Sequence, residues 1–188
     1  MSLLFAKRLS ILKPLLIATL LLSGLASSTQ ADDLALASNT VQSKMVKIYG
    51  AGGLKGLEAY QSGFLISGDG HILTVWSYVL DTDYITIVLD DGRKFEGKIV
   101  GADPRLEMAV LKIDSQELDH FSLSKSIVLQ PGARILTISN LFGVATGNEP
   151  CSVLHGIVAA TTSLNARRGA FKSPYQGPIY VLDAISNN

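Results

Sequence analysis

The sequence predicts an all-β protein that carries an N-terminal export signal. Short apolar stretches alternate with turns rich in Gly and Asp, which is typical of strands in a β-sandwich or β-barrel. No long segment beyond the first 31 residues has a convincing helical period. The hydrophobic content of 47% is enough for a packed core and argues against disorder.

The first 31 residues have the layout of a secretory signal peptide. Lys7, Arg8 and Lys13 precede an uncharged apolar run at 15–26, and small and polar residues follow as far as Ala31. An uncleaved membrane anchor is the alternative, but the run is short for a span of about 20 residues. We therefore expect cleavage after Ala31, a flexible leader over 32–43, and no membrane contact beyond the export signal.

Charge and cysteine content narrow the function classes. The formal net charge is 0, so the chain has no basic excess and nucleic acid is not an expected partner. No cluster of His, Cys and carboxylates has metal-ligand spacing, and the loop at 50–56 has no phosphate-binding pattern, so no metal or cofactor is predicted. Cys151 is the only cysteine, so no internal disulfide forms. We interpret it as a buried core residue, with a nucleophile as the alternative.

Six strands are predicted between residues 44 and 113. Gly68-Asp69-Gly70 and Asp91-Gly92 are hairpin turns between them. Along the fourth strand Ile85, Ile87 and Leu89 share one face, and Phe95 and Ile99 are expected to point inward from the fifth. The sixth is nearly all apolar and is expected to be buried on both faces. The predicted strands are 44–50, 61–67, 71–75, 84–90, 93–101 and 107–113.

The second half of the chain begins after a polar stretch. Residues 114–126 are predicted to link the two halves, and strand candidates follow at 134–139, 152–163 and 179–184. Arg167 and Arg168 are expected to be solvated in a loop. The domain order is then a signal peptide (1–31), a leader (32–43), a first barrel (44–113), a linker (114–126) and a partial second barrel (127–188).

Six segments occur in the order found in one known family. Residues 62–74 are similar to S-G-F-I-I-S-x-D-G-Y-I-L-T, 85–93 to I-T-V-x-L-x-D-G-R, and 101–113 to G-x-D-P-x-T-D-L-A-V-L-K-I; residues 140–143, 156–160 and 183–187 are similar to N-P-F-G, G-I-V-S-A and D-A-A-I-N. The set resembles the trypsin-like serine proteases of the bacterial HtrA/Deg type. That resemblance implies a double antiparallel β-barrel with the active site between the barrels, the second barrel being incomplete at the C-terminus.

The same resemblance implies that the catalytic set is not intact. Residues 72–79 are similar to I-L-T-x-x-H-V, which places Ser77 at the position of the general-base histidine. A base there needs a pKa near neutral, and a serine hydroxyl cannot supply one. His71 lies about 20 Å from position 77 along an extended strand, and is expected at a hairpin end on the surface. His120 is expected to be exposed, and neither it nor His155 is expected to replace the missing base.

The other two catalytic positions also differ from the family. Glu107 stands where the family has aspartate, and the nucleophilic serine with its oxyanion hole is expected beyond Asn188. Trp76, beside Ser77, is expected to be a core aromatic behind the cleft, with a place in the cleft as the alternative. A barrel without its last strands has unpaired edges. Two explanations stay open: the chain is a fragment of a longer product, or a partner completes the barrel.

We therefore expect an exported, non-catalytic protein with a trypsin-like frame that binds a peptide or a protein. An active serine endopeptidase with atypical residues, or a fragment of one, is the first alternative. A purely structural exported β domain is the second. Neither nucleic acid nor a cofactor is an expected partner.

Overall fold

The computed structural model describes residues 28–51, 59–125, 127–164, 167–168, 171–172 and 175–184. It contains two compact units, Met1–Thr40 and Val41–Asn188. Helix α1 runs over Ser28–Gln42. The flexible leader expected from residue 32 is therefore wrong over 32–42, because alanine and leucine, strong helix formers, dominate 31–37. The predicted signal peptide lies outside the described residues apart from 28–31, as do Gly52 and Gly53 of the predicted loop.

Six antiparallel strands of the second unit close into a barrel in the order β1-β2-β3-β6-β5-β4. The barrel confirms the predicted all-β class. Gly70 and Gly92 take positive φ angles of 94° and 84° in the β2–β3 and β4–β5 turns, as the two hairpin motifs predict. The strands are β1 (Met45–Tyr49), β2 (Tyr60–Leu65), β3 (His71–Val75), β4 (Ile85–Leu89), β5 (Lys94–Asp103) and β6 (Met108–Lys112).

The core of the barrel consists of aliphatic side chains from all its strands except β5, which contributes the half-buried Phe95. Full burial of each such side chain contributes about 1.5–3 kcal/mol. Ile85, Ile87 and Leu89 share the inward face, as predicted from their alternation. The larger aliphatic residues of this core that are less than 2% exposed are Val46, Ile48, Leu65, Ile72, Ile87, Leu111 and Ile113.

Two details of the barrel differ from the sequence-based expectation. Ile99 was expected to point inward but is exposed, because the β5–β6 register shifts between Ile99 and Gly101 and interrupts the alternation of faces. Strand β6 was expected to be buried on both faces. Only Ala109 and Leu111 are buried, because an antiparallel barrel covers one face of each strand.

The second half of this unit forms a smaller antiparallel sheet in the order β11-β8-β7. Its strands are β7 (Arg134–Ser139), β8 (Ser152–Ser163) and β11 (Pro178–Asp183), close to the predicted bounds. Two short strands pair separately, β9 (Arg167–Arg168) and β10 (Phe171–Lys172), so the predicted solvated loop at Arg167 and Arg168 is in fact a strand. Residues 185–188 lie outside the described part of the chain.

The predicted linker packs on the barrel instead of crossing solvent. Leu118 is buried, and its amide donates to the carbonyl of Gly68 at 3.0 Å. The amide of Phe121 donates to the carbonyl of Leu65 at 2.9 Å. The Phe121 ring meets the Phe64 ring edge-on, with 5.5 Å between centroids. These contacts hold the start of the second half against the first barrel.

Candidate functional site

The candidate site lies where strand β3 leaves the barrel. Thr74 is buried, and its hydroxyl donates to the carbonyl of Ser62 at 2.8 Å. The chain then leaves the sheet through Trp76 and Ser77 and enters a single 3₁₀ turn, Tyr78–Leu80. Val79 and Leu80 of that turn are buried, so the turn is anchored in the barrel and its position relative to β3 is set by packing.

Ser77 is held in an extended conformation at the head of this turn. Its hydroxyl accepts a hydrogen bond from the amide of Val79 at 3.2 Å, so Ser77 is the N-cap of the turn. The same hydroxyl donates to the side-chain carbonyl of Gln61 at 2.5 Å. The amide nitrogen of Gln61 donates to the Thr74 hydroxyl at 2.9 Å and to the carbonyl of Val75 at 3.0 Å. The hydroxyl proton of Ser77 is therefore donated to Gln61, a residue of β2 whose side chain is held by hydrogen bonds to β3.

Glu107 meets the site through its backbone. It closes the β5–β6 turn with a positive φ of 54°, a conformation that few non-glycine residues adopt. Its carbonyl accepts the amide proton of Trp76 at 2.9 Å, which ties this turn to the end of β3. Among the described residues its carboxylate has no hydrogen-bond partner.

The three histidines of the chain lie apart from Ser77. His71 is half-buried at the other end of β3, where its Nδ1 lies 3.0 Å from both Ser67 Oγ and Asp69 Oδ1. His120 is exposed and bonds the carbonyl of Leu118 at 3.0 Å. His155 is exposed in β8, opposite Leu136. None of them hydrogen-bonds the Ser77 hydroxyl, whose described partners are Gln61 and Val79.

A buried polar contact that the sequence did not predict joins the two halves. Lys47 in β1 is only 1% exposed, and its ammonium donates to the carbonyls of Gly147 and Glu149 at 2.7 Å each. A third, longer contact of 3.4 Å reaches the carbonyl of Leu89. Successive side chains of a strand point to opposite faces, so Lys47 points to the outer face of the barrel while its neighbours Val46 and Ile48 point into the core. Only the fold shows that residues 140–151 cover that face.

Asn140 provides the second polar contact between the halves. It is buried, and its amide nitrogen donates to Tyr49 Oη and to the carbonyl of Ala145 at 3.0 Å each. Its side-chain oxygen accepts from the amide of Ala145 at 2.9 Å, and its own amide donates to Ser62 Oγ at 2.8 Å. Burial raises the pKa of Tyr49, so its hydroxyl stays protonated and donates to Ala145. The N-P-F-G-like segment was the only sequence signal for Asn140.

Cys151 is buried, as predicted, at the end of the same segment. Burial raises the pKa of its thiol, which disfavours the reactive thiolate. Its backbone makes two hydrogen bonds with the side chain of Gln42: Gln42 Nε2 donates to the Cys151 carbonyl at 2.9 Å, and the Cys151 amide donates to Gln42 Oε1 at 3.0 Å. Burial and these hydrogen bonds agree with the predicted role of Cys151 as a core residue.

A surface pocket of about 690 Å³ opens directly beside Ser77. Trp76 and Tyr78 line it, together with Asp81, Asp83 and the exposed Ile99. Trp76 is 40% exposed and lines this pocket, so the expectation of a core aromatic behind the cleft is wrong. Ile99, which lies beside the β5–β6 register shift, thus contributes to this pocket and not to the core.

Metal chemistry and membrane spanning find no support in the described residues. They contain no group of three or more His, Cys, Asp or Glu side chains arranged to hold a metal ion. Within the same part of the chain, no helix combines the length and the apolar content needed to cross a bilayer.

A closed six-stranded antiparallel barrel followed by a second antiparallel sheet, with a site at the end of the third strand, defines the trypsin-like peptidase class. Residues 61–184 match the family described as "Trypsin-like peptidase domain", and the chain belongs to that family.

Sequence relatives confirm the resemblance to HtrA/Deg proteases. A protein of Ectopseudomonas mendocina (strain ymp), named "Probable periplasmic serine endoprotease DegP-like", is 41% identical over 99 residues, covering 53% of this chain and 20% of the relative. A Chlamydia pneumoniae protein of the same name is 37% identical over 99 residues, covering 53% and 19%. The chain therefore spans about a fifth of the length of these curated relatives.

Solved structures agree on the fold. "HtrA-type protease AlgW with decapeptide" superposes with a TM-score of 0.64 at 25% identity, covering 81% of this chain and 52% of that one. The MamO protease domain from Magnetospirillum magneticum superposes with a TM-score of 0.61 at 21% identity, covering 78% and 74%. Because its sequence identity is only 21%, the match to the MamO protease domain supports a shared fold and nothing further.

Proposed function

We propose that the protein is a non-catalytic member of its family, which uses the barrel frame to bind a peptide or a segment of another protein outside the cytoplasm. In this proposal Ser77 occupies the position of the catalytic histidine and Glu107 that of the aspartate, and the nucleophile position falls beyond Asn188. The observation that carries the proposal is the hydrogen bonding of Ser77, whose hydroxyl caps the Tyr78–Leu80 turn and donates to Gln61.

The chemistry of acyl transfer supports a non-catalytic role. A general base must take the proton of the nucleophile and return it to the leaving group, which requires a pKa near neutral. A serine hydroxyl has no such pKa, and that of Ser77 already donates its proton to Gln61 and accepts from the amide of Val79. Removal of a single triad member costs on the order of a millionfold in rate in a well-studied serine protease.

Peptide binding is supported by the pocket and by one structural relative. The pocket beside Ser77 is lined by exposed aromatic side chains, which are common at binding surfaces. The HtrA-type relative AlgW, of which this chain covers 52%, is described with a decapeptide, so a relative of the same fold is found together with a peptide.

Export is proposed from the N-terminal pattern and from the names of the relatives, which place them in the periplasm. The test is expression from the complete gene followed by osmotic-shock fractionation and N-terminal sequencing. We expect periplasmic protein that begins at Asp32. Protein retained in the cytoplasm with Met1 intact would contradict export.

The catalytic part of the proposal is tested with casein and a fluorophosphonate probe on the full-length gene product. We expect neither hydrolysis nor labelling, and no difference between the wild type and the Ser77→Ala variant. Hydrolysis by the wild type that disappears in Ser77→Ala would overturn the proposal.

The second candidate is a serine endopeptidase with atypical catalytic residues, and the names of the relatives favour it. Fluorophosphonate labelling of a serine in the wild type, with casein cleavage, would support this candidate. A broad peptide-display screen covers the remaining alternative, because failure to select any ligand would favour a purely structural domain.

A further inference from the structure

The pocket beside Ser77 has a definite chemical character. Its two aromatic walls are exposed to solvent, Trp76 by 40% and Tyr78 by 48%. Aromatic side chains that are this exposed at a pocket can contact a ligand, and aromatic rings attract cations. The aliphatic side chain of Ile99, which also lines the pocket, offers a surface for an alkyl stem.

The same pocket carries a local negative charge. Asp81 and Asp83 line it, and no Lys or Arg belongs to its lining. The described ion pairs of the protein involve other carboxylates, namely Asp69, Asp91 and Asp103, so within this part of the chain neither pocket aspartate has a cationic partner. Both aspartates are exposed. Asp81 is the C-cap of the anchored 3₁₀ turn, and Asp83 lies two residues further along the chain.

The pocket lining combines two aromatic side chains, one aliphatic side chain and two carboxylates without a cationic partner. This combination suits a cationic group on a long aliphatic stem. A long side chain with a terminal cation packs its methylene stem on apolar surface and places its charge near carboxylates and ring faces. We propose that this pocket binds an arginine or lysine side chain of an extended polypeptide, with Asp81 and Asp83 as the specificity residues. This inference rests on the proposed peptide-binding function and adds the class of ligand.

Trp76 makes the proposal directly measurable. It is the only tryptophan of the chain, so intrinsic tryptophan fluorescence reports on this pocket alone. The full chain is titrated with acetyl-Ala-Arg-Ala-amide and with the same peptide carrying citrulline, which keeps the shape of arginine but has no charge. We expect a saturable change in Trp76 emission with the arginine peptide, and binding at least fivefold weaker with the citrulline peptide.

Paired variants separate charge from general damage to the fold. Asp81→Asn with Asp83→Asn is expected to weaken arginine-peptide binding by about tenfold, in line with two partly solvated ion pairs. The matched control is Asp114→Asn with Asp119→Asn, which removes two exposed carboxylates outside the pocket lining and is expected to change the affinity by less than twofold. Added salt should weaken binding of the arginine peptide to the wild type, but not to the variant that carries Asp81→Asn and Asp83→Asn.

The outcomes distinguish this inference from the proposed function. Equal binding of the arginine and citrulline peptides would overturn the charge preference and leave peptide binding intact. Equal losses in the pocket and control variants would overturn the assignment to Asp81 and Asp83. A Trp76 response to spermine as strong as that to the peptide would overturn the polypeptide assignment. Absence of binding to any peptide would overturn both this inference and the proposed function.

Discussion

Replacing Lys47 by methionine tests how the two halves of the protein are joined. The lysine is 1% exposed and reaches from β1 to the carbonyls of Gly147 and Glu149, both at 2.7 Å. Methionine has a similar length and fills the same space, but it removes the charged donor. Lys47→Met therefore leaves the packing largely in place and deletes the hydrogen bonds.

The expected cost follows from these contacts. Each short hydrogen bond from a charged donor contributes about 1.5–3 kcal/mol. The contact to Leu89 at 3.4 Å is too long to add much. Replacing a buried ammonium also removes its desolvation penalty, which offsets part of the loss. We therefore expect Lys47→Met to lower the free energy of unfolding by about 2–4 kcal/mol.

Urea unfolding followed by far-UV circular dichroism measures this change. The control is Lys98→Met, because Lys98 is exposed on β5 and its side chain has no hydrogen bond within the described structure. We expect the control to stay within about 0.5 kcal/mol of the wild type. Equal stabilities of the two variants would refute the conclusion that Lys47 joins the halves.

Three further predictions concern single side chains. Ser77→Ala should lower the free energy of unfolding in urea by about 1–2 kcal/mol, because the N-cap and the hydrogen bond to Gln61 are lost together. Ser77→Thr, which keeps a hydroxyl, should recover most of this stability. An unchanged urea midpoint in Ser77→Ala would contradict the role of these hydrogen bonds. The pKa of Asp69 is lowered to about 2, first by the hydroxyl of Ser67 and then by His71. The stabilisation by ionised Asp69 is thus complete above the unfolded pKa of 3.8 and is lost as the pH falls from there to about 2. The difference in unfolding free energy between the wild type and Asp69→Asn should therefore disappear over that interval. A difference that stays constant with pH would contradict the lowered pKa of Asp69. Cys151 should react slowly with a thiol reagent in the native protein and rapidly in denaturant, because burial raises its pKa; fast native labelling would show that it is accessible.

Local patterns along the chain were sufficient to predict most of the strands. The bounds of β3, β7 and β8 match the predicted segments residue for residue, because alternation and turn residues act over a few neighbours. The Gly-containing turns at Gly70 and Gly92 were predictable for the same reason, since both require a positive φ. The helix over Ser28–Gln42 was missed because its apolar residues form no clear face, so periodicity gave no signal.

The sequence singled out a candidate site, but it did not predict the hydrogen bonds around it. The segment similar to I-L-T-x-x-H-V was enough to single out Ser77. The partner Gln61 lies sixteen positions earlier in sequence, and only the antiparallel pairing of β2 with β3 brings the two side chains together. Trp76 was placed in the core because apolar side chains are usually buried; its exposure depends on how the chain leaves β3.

The sequence by itself determined the strands, their turns, the family and the serine at the end of β3, because each of these depends on residues close together in the chain. The tertiary structure alone decided which polar groups meet across long separations. Lys47 and Asn140 join segments about a hundred residues apart, and the β5 bulge turns Ile99 from the core to the pocket. Such contacts depend on how barrel strands close and which face a distant loop covers, and no local pattern encodes that arrangement.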